Sequence, residues 1–126
     1  MSEEVSQIIV EAFEKRADIT PRTVDTHVYD AVMTAFDMLD SCVARVAEKK
    51  EGGWVVNEWL KKAVLLYFRI EDNEFIKGGF TNYWDKVPSK YSDFNSRDFR
   101  DRGVRVVPPA AARKGSFIAS GSVLMP

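Results

Sequence analysis

The sequence predicts a small α+β fold: a mainly helical region carrying one β-hairpin, then a strand and a single hexapeptide-type turn of a parallel β-helix. Three observations predict it. Apolar residues recur at helical spacing through the first 40 residues and again from 58 to 69. Between them the period changes around Gly52-Gly53, where two β-favouring runs flank a turn. At the far end Val104-Arg105-Val106-Val107 reads as a strand, and Ile118 and Leu124 then stand six residues apart. That is the spacing at which successive flat faces of a β-helix each turn one aliphatic side chain inward.

The first helix is expected over residues 3 to 17. Val5, Ile8, Ile9, Ala12 and Phe13 form its stripe, Ser2 can cap its start, and Lys15 and Arg16 suit its end. A second helix runs to about Leu39, starting at Pro21 behind a Thr20 cap or, after a break, at Asp25. Its apolar face is Val28, Val32, Ala35, Phe36 and Leu39. Val43 to Lys49 and Trp54 to Val56 make the hairpin, with Lys50-Glu51-Gly52-Gly53 as its turn. Asn57 can cap a third helix, Glu58 to about Arg69, with Leu60, Val64, Leu65 and Phe68 inward. That run is apolar nearly all round, so this helix should be the most buried.

From Glu71 to Ser92 the chain reads as irregular, because Asp72-Asn73, Gly78-Gly79 and Val87-Pro88 interrupt every periodic run. The segment nonetheless holds Phe75, Ile76, Phe80, Tyr83, Trp84 and Tyr91, so it is either held onto the core or part of a contact surface. A short helix over Asn95 to Arg102 follows, with Gly103 suited to the position just past its end. Pro108-Pro109 stops the closing strand, since proline neither donates to a ladder nor continues a helix.

Composition narrows the function classes. The 126 residues, 45% hydrophobic, suffice for one modest core. Eighteen basic and 19 acidic side chains are interspersed and give a net charge of −1, so nothing steers the chain to nucleic acid or anionic lipid. No apolar run approaches membrane-spanning length, and the N-terminus carries Glu3 and Glu4 rather than a basic leader. The single cysteine, Cys42, cannot form an intramolecular disulfide, which suits a cytoplasmic setting.

The usual catalytic sets are missing. His27 is the only histidine and reads as a solvated helix residue, and without a second histidine or a cysteine cluster no metal spacing exists. Cys42 reads as a small packing residue, since no base is fixed beside it by sequence. Lys61-Lys62 flank an apolar stripe, and Arg97, Arg100 and Arg102 alternate with Asp93, Asp98 and Asp101 as a salt-laced helix would. Arg105 is different. It sits in a β-rich run just before two prolines, and a guanidinium on a rigid strand is suited to bidentate capture of a carboxylate. The alternative is an outward-facing strand arginine with no ligand.

At these residues the sequence resembles a known family. The stretches are Arg45-Val46-Ala47-Glu48-Lys49, Trp59-Leu60-Lys61-Lys62-Ala63-Val64-Leu65-Leu66, Asp85-Lys86-Val87-Pro88 and, longest, Arg105-Val106-Val107-Pro108-Pro109-Ala110-Ala111. The run continues through Phe117-Ile118-Ala119 to Val123-Leu124-Met125-Pro126. Together they are similar to the N-terminal part of the tetrahydrodipicolinate N-succinyltransferases. The resemblance implies a helical N-terminal domain followed by a left-handed parallel β-helix, in cytoplasmic homotrimers acting in lysine (diaminopimelate) biosynthesis. It implies acyl transfer from succinyl-CoA, a co-substrate rather than a bound cofactor, to a cyclic dicarboxylate, giving N-succinyl-2-amino-6-oxopimelate and CoA.

The family's substrate-binding arginine lies in the RVVPP motif and falls here on Arg105. Its acidic general base and its CoA contacts are expected beyond Pro126, so no catalytic residue is expected in this chain and these residues alone should be inactive. The expected division is residues 1–103 as the helical domain with its hairpin and 104–126 as the strand and start of the β-helix. A second reading, from another class, is a free-standing interaction module that uses the edge at Val104–Val107 and the aromatic segment 75–91.

Overall fold

Helix α1 (Ser2–Glu14), helix α2 (Thr26–Asp40) and helix α3 (Glu58–Ile70) each pack against the other two in the computed structural model, which describes residues 2–126. The chain forms two compact units, one up to Asn73 and one from Glu74 to Pro126. Among the described residues it is an α+β fold of four α-helices and short two-stranded sheets.

In the first unit α1 buries Ile9 and Ala12, with Val5, Ile8 and Phe13 half-buried around them. It is helical from Ser2 itself, so Ser2 does not take the capping place expected of it. It is also shorter than the sequence suggests: a 3₁₀ turn, Arg16–Asp18, replaces its last turn, and the Arg16 guanidinium donates to the Phe13 carbonyl at 2.9 Å. Thr20 and Thr23 then bond each other and the turn around them. Helix α2 accordingly starts after Asp25 rather than at Pro21. It buries Val28, Val32, Ala35, Phe36 and Leu39 as expected, with Ala31 beside them.

Helix α3 turns a different face inward from the one its sequence suggests. Leu60, Ala63, Leu66, Tyr67 and Ile70 are buried, while Leu65 is 46% exposed and Phe68 37%. The stripe 60, 63, 67, 70 buries small Ala63 completely and lets Tyr67 stack on Phe36 with ring centroids 4.3 Å apart. Asn57 precedes α3 but does not cap it by its side chain. Its amide instead donates to the Arg45 carbonyl at 2.7 Å, and its backbone N–H to the Val46 carbonyl at 2.7 Å. These bonds close the base of the hairpin β1 (Ala47–Lys50) and β2 (Gly53–Val56), an antiparallel pair in register Ala47–Val56. The first strand is shorter than expected, beginning at Ala47 rather than Val43. Gly52 and Gly53 take positive φ at its turn.

The second unit corrects the reading of 71–92 as irregular. It contains a hairpin, β3 (Glu74–Lys77) with β4 (Asn82–Asp85), in which Phe75 faces Trp84 and Ile76 faces Tyr83. Gly78 is at its turn because a Cβ there would meet the Thr81 carbonyl oxygen and sit 2.7 Å from the Tyr83 ring. Beyond the hairpin, Lys90 N–H donates to the Ala112 carbonyl and Lys114 N–H to the Pro88 carbonyl. These bonds tie 88–90 to 112–114, with Val87 buried. Tyr91, Phe94 and Phe99 form an aromatic cluster with centroids 4.9 to 5.4 Å apart.

Candidate carboxylate-binding site

Helix α4 (Ser96–Arg102) leads directly into the candidate site, and both its ends are built for it. Asn95 accepts from the Asp98 N–H at 3.0 Å while its own N–H donates to the Asp98 carboxylate at 2.9 Å, a complete capping box. At the other end Gly103 takes the left-handed conformation (φ 66°) and donates to the Phe99 and Arg100 carbonyls. The chain reverses there into strand β5 (Arg105–Val106) with Val104 buried behind it.

Strand β5 is paired in parallel with β6 (Val123–Leu124), Arg105 opposite Val123 and Val106 opposite Leu124. Gly121 N–H donates to the Gly103 carbonyl, Arg105 N–H to Ser122 and Val107 N–H to Leu124. The backbone is thus fixed on both sides of Arg105, whose side chain stays exposed, and Pro108-Pro109, joined by a cis peptide, follows at once. A shallow groove of about 330 Å³ lies here. Among its lining residues Arg105, Arg100 and Ser122 carry polar side chains, and Phe99, Val104 and Val123 apolar ones. Among the described residues neither Arg100 nor Arg105 is in an ion pair. The groove can hold an anion with an apolar body. It has no carboxylate, imidazole or thiol in its lining to move a proton.

The sequence singles out Arg105 as the candidate but not its neighbours Ser122 and Val123. They reach it through a parallel pairing of residues eighteen apart, for which the six-residue recurrence that includes Ile118 and Leu124 is the sequence signal.

The remaining candidates fall elsewhere. His27 is exposed on the first turn of α2. Cys42 follows α2 in the left-handed region (φ 62°) and accepts a hydrogen bond from Arg45 Nε at 3.2 Å. It borders a groove of about 370 Å³ with Arg45, Glu48 and Trp54. Lys61 is exposed, whereas Lys62 lies 5.4 Å over the Phe13 ring. The three arginines of α4 do not form one salt-laced row: Arg97 pairs with Asp101 at 3.9 Å, and Arg102 lies over the Phe94 ring. No group of three His, Cys, Asp or Glu placed to hold a metal occurs among the described residues, and no helix is long and apolar enough to cross a membrane.

Comparison with known proteins gives one consistent result. The chain is 74% identical over 121 residues to a 2,3,4,5-tetrahydropyridine-2,6-dicarboxylate N-succinyltransferase of Thioalkalivibrio sulfidiphilus, a match covering 96% of this chain and 44% of the relative. Proteins of the same name from Thiobacillus denitrificans and Nitrosomonas europaea are 64% and 62% identical, over 98% of this chain and 46% and 45% of their own length. The chain therefore spans a little under half the length of these curated relatives. Residues 4–70 match the family described as tetrahydrodipicolinate N-succinyltransferase N-terminal, a span of more than half the chain. By that match, the chain belongs to the tetrahydrodipicolinate N-succinyltransferase N-terminal family.

Proposed function

We propose that the chain is the N-terminal part of an acyltransferase that moves a succinyl group from succinyl-CoA to tetrahydrodipicolinate, in lysine (diaminopimelate) biosynthesis. The observation that carries this reading is the shared name of relatives 62–74% identical over nearly all of this chain. In the reaction water adds to the cyclic imine and the ring opens to an amine and a ketone. The amine nitrogen attacks the thioester carbonyl; its C–N bond forms as the C–S bond breaks. The amine proton ends on the CoA sulfur.

Arg105 is the residue of this chain assigned to the acceptor. A fork of N–H donors on a strand fixed by the Ser122 and Leu124 carbonyls is a preorganised carboxylate contact. It binds and orients but moves no proton. The 126-residue chain alone is therefore expected not to turn over, and the general base belongs to the rest of the enzyme.

The reading includes a left-handed parallel β-helix starting at β5, with residues 1–103 as the helical domain before it and homotrimers as the assembled form. Support for the solenoid comes from Val106, Ala112, Ile118 and Leu124, which recur every six residues and are all half-buried. The eighteen-residue offset between Arg105 and Val123 equals three such repeats, one full coil.

The test is thiol release by the full-length protein carrying this chain, given succinyl-CoA with and without tetrahydrodipicolinate. The expected result is one CoA freed per acceptor consumed and none without acceptor. Acceptor-independent release, or no release, would remove the reading.

A further inference from the structure

Helix α4 carries three arginines, Arg97 in its first turn and Arg100 and Arg102 in its last, and the structure uses two of them internally. Arg97 pairs with Asp101, and Arg102 covers Phe94. Arg100 does neither: it is exposed, lines the same groove as Arg105, and is in no ion pair among the described residues. Two like charges bordering one shallow groove repel each other, and a ligand with two negative ends relieves that repulsion while a singly charged one relieves half. Phe99, Val104 and Val123 line the same groove and offer apolar surface to a ring.

From this arrangement we propose that Arg100 is a second carboxylate contact, so that the groove selects a small cyclic dicarboxylate over a monocarboxylate. The proposal rests on the reading of Arg105 as a carboxylate contact and adds the residue that reads the second acid group. Arg100 is a binding residue in it, with no part in moving protons. Its placement follows from the short helix. Gly103 caps α4 through the Arg100 carbonyl, which fixes the Arg100 backbone three residues before the turn into β5.

The experiment titrates pyridine-2,6-dicarboxylate and pyridine-2-carboxylate into the 126-residue protein, following backbone and arginine Nε–Hε signals by NMR, with signal dispersion reporting the fold of each variant. The wild type should bind the diacid more tightly than the monoacid. Arg100→Gln should weaken diacid binding about tenfold, the loss of one charged hydrogen-bonding contact, and leave monoacid binding unchanged. Arg97→Gln, outside the groove, should change neither. Diacid affinity kept in Arg100→Gln but lost in Arg105→Gln would overturn the role of Arg100 and leave that of Arg105 standing. Diacid affinity kept in both, or no binding by the wild type, would overturn both.

Discussion

Gly103 stands against Ser120 so closely that a Cβ at 103 would overlap the Ser120 hydroxyl oxygen. The same glycine has a φ of 66° and accepts a hydrogen bond from Gly121 at 2.7 Å. One residue thus ends α4, starts β5 and holds β6 in place. Gly103→Ala should destabilise the second unit by about 2 kcal/mol, from the left-handed backbone and the overlap together. Ser120→Gly in the same chain should recover only part of the loss, because it removes the overlap and leaves the backbone strain. Denaturant melts, with amide exchange at Gly121, check both expectations. An unchanged Gly121 exchange rate in Gly103→Ala would count against the account.

Cys42 occupies the same kind of position after α2 without being a glycine. Its φ of 62° carries a penalty that its hydrogen bond from Arg45 only partly offsets. Cys42→Gly should therefore stabilise the first unit by about 0.5–1 kcal/mol, and Cys42→Val, with a β-branched side chain, should destabilise it. Thermal melts of the two variants should move in opposite directions.

Glu48 gives the first hairpin a pH dependence. Lys50 Nζ lies 3.1 Å from its carboxylate, and that hydrogen bond, aided by Asn57 and the charge of Arg45, holds its pKa below the ordinary glutamate value. A depressed folded pKa means that the unfolded chain takes up the proton first. The stabilisation is therefore present above the ordinary glutamate range and is lost as pH falls through the folded value. Acidification through that range should loosen the β1–β2 pairing, seen as a lower amide protection factor at Asn57 once the intrinsic exchange rate at each pH is divided out. Glu48→Gln should flatten this response, and added salt should shrink it.

The helical core was legible where one face was apolar and the other was not. Val28, Val32, Ala35, Phe36 and Leu39 are inward in α2 because Asp30, Asp37 and Asp40 leave the helix only one apolar stripe. In α3 the run Ala63-Val64-Leu65-Leu66-Tyr67-Phe68 offers apolar residues in every direction, so packing decides the face and sequence does not. The β3–β4 hairpin was hidden for a related reason. Phe75, Tyr83 and Trp84 are all exposed, so no strand there shows apolar alternation, and Gly78-Gly79 read as a break when it is the turn. At the candidate site Arg105 was singled out by its β-rich neighbours together with the resemblance of its RVVPP run. Ser122 and Val123 were not, because a parallel pairing across eighteen residues leaves no local signature.

The face of α3 can be tested directly. Leu66 is fully buried and Leu65 is 46% exposed. Leu66→Ala should cost about 2–5 kcal/mol of stability through lost burial and the cavity left behind, and Leu65→Ala well under half of that. Equal losses in urea titrations would mean that both residues are buried.

On the proposed reading, Arg105 separates binding from folding. Its side chain is exposed while its backbone N–H is committed to Ser122, so Arg105→Ala removes a guanidinium without touching the ladder. Melting should be unchanged. In the full-length protein kcat/KM for tetrahydrodipicolinate should fall by one to two orders of magnitude, matching the roughly 1.5–3 kcal/mol carried by a charged hydrogen-bonded contact. Most of that should appear as a raised acceptor KM, with the succinyl-CoA KM little changed. Arg105→Lys should recover part of the loss, since an ammonium keeps the charge but cannot present two parallel donors to one carboxylate. A variant with unaltered acceptor kinetics would take Arg105 out of the acceptor site.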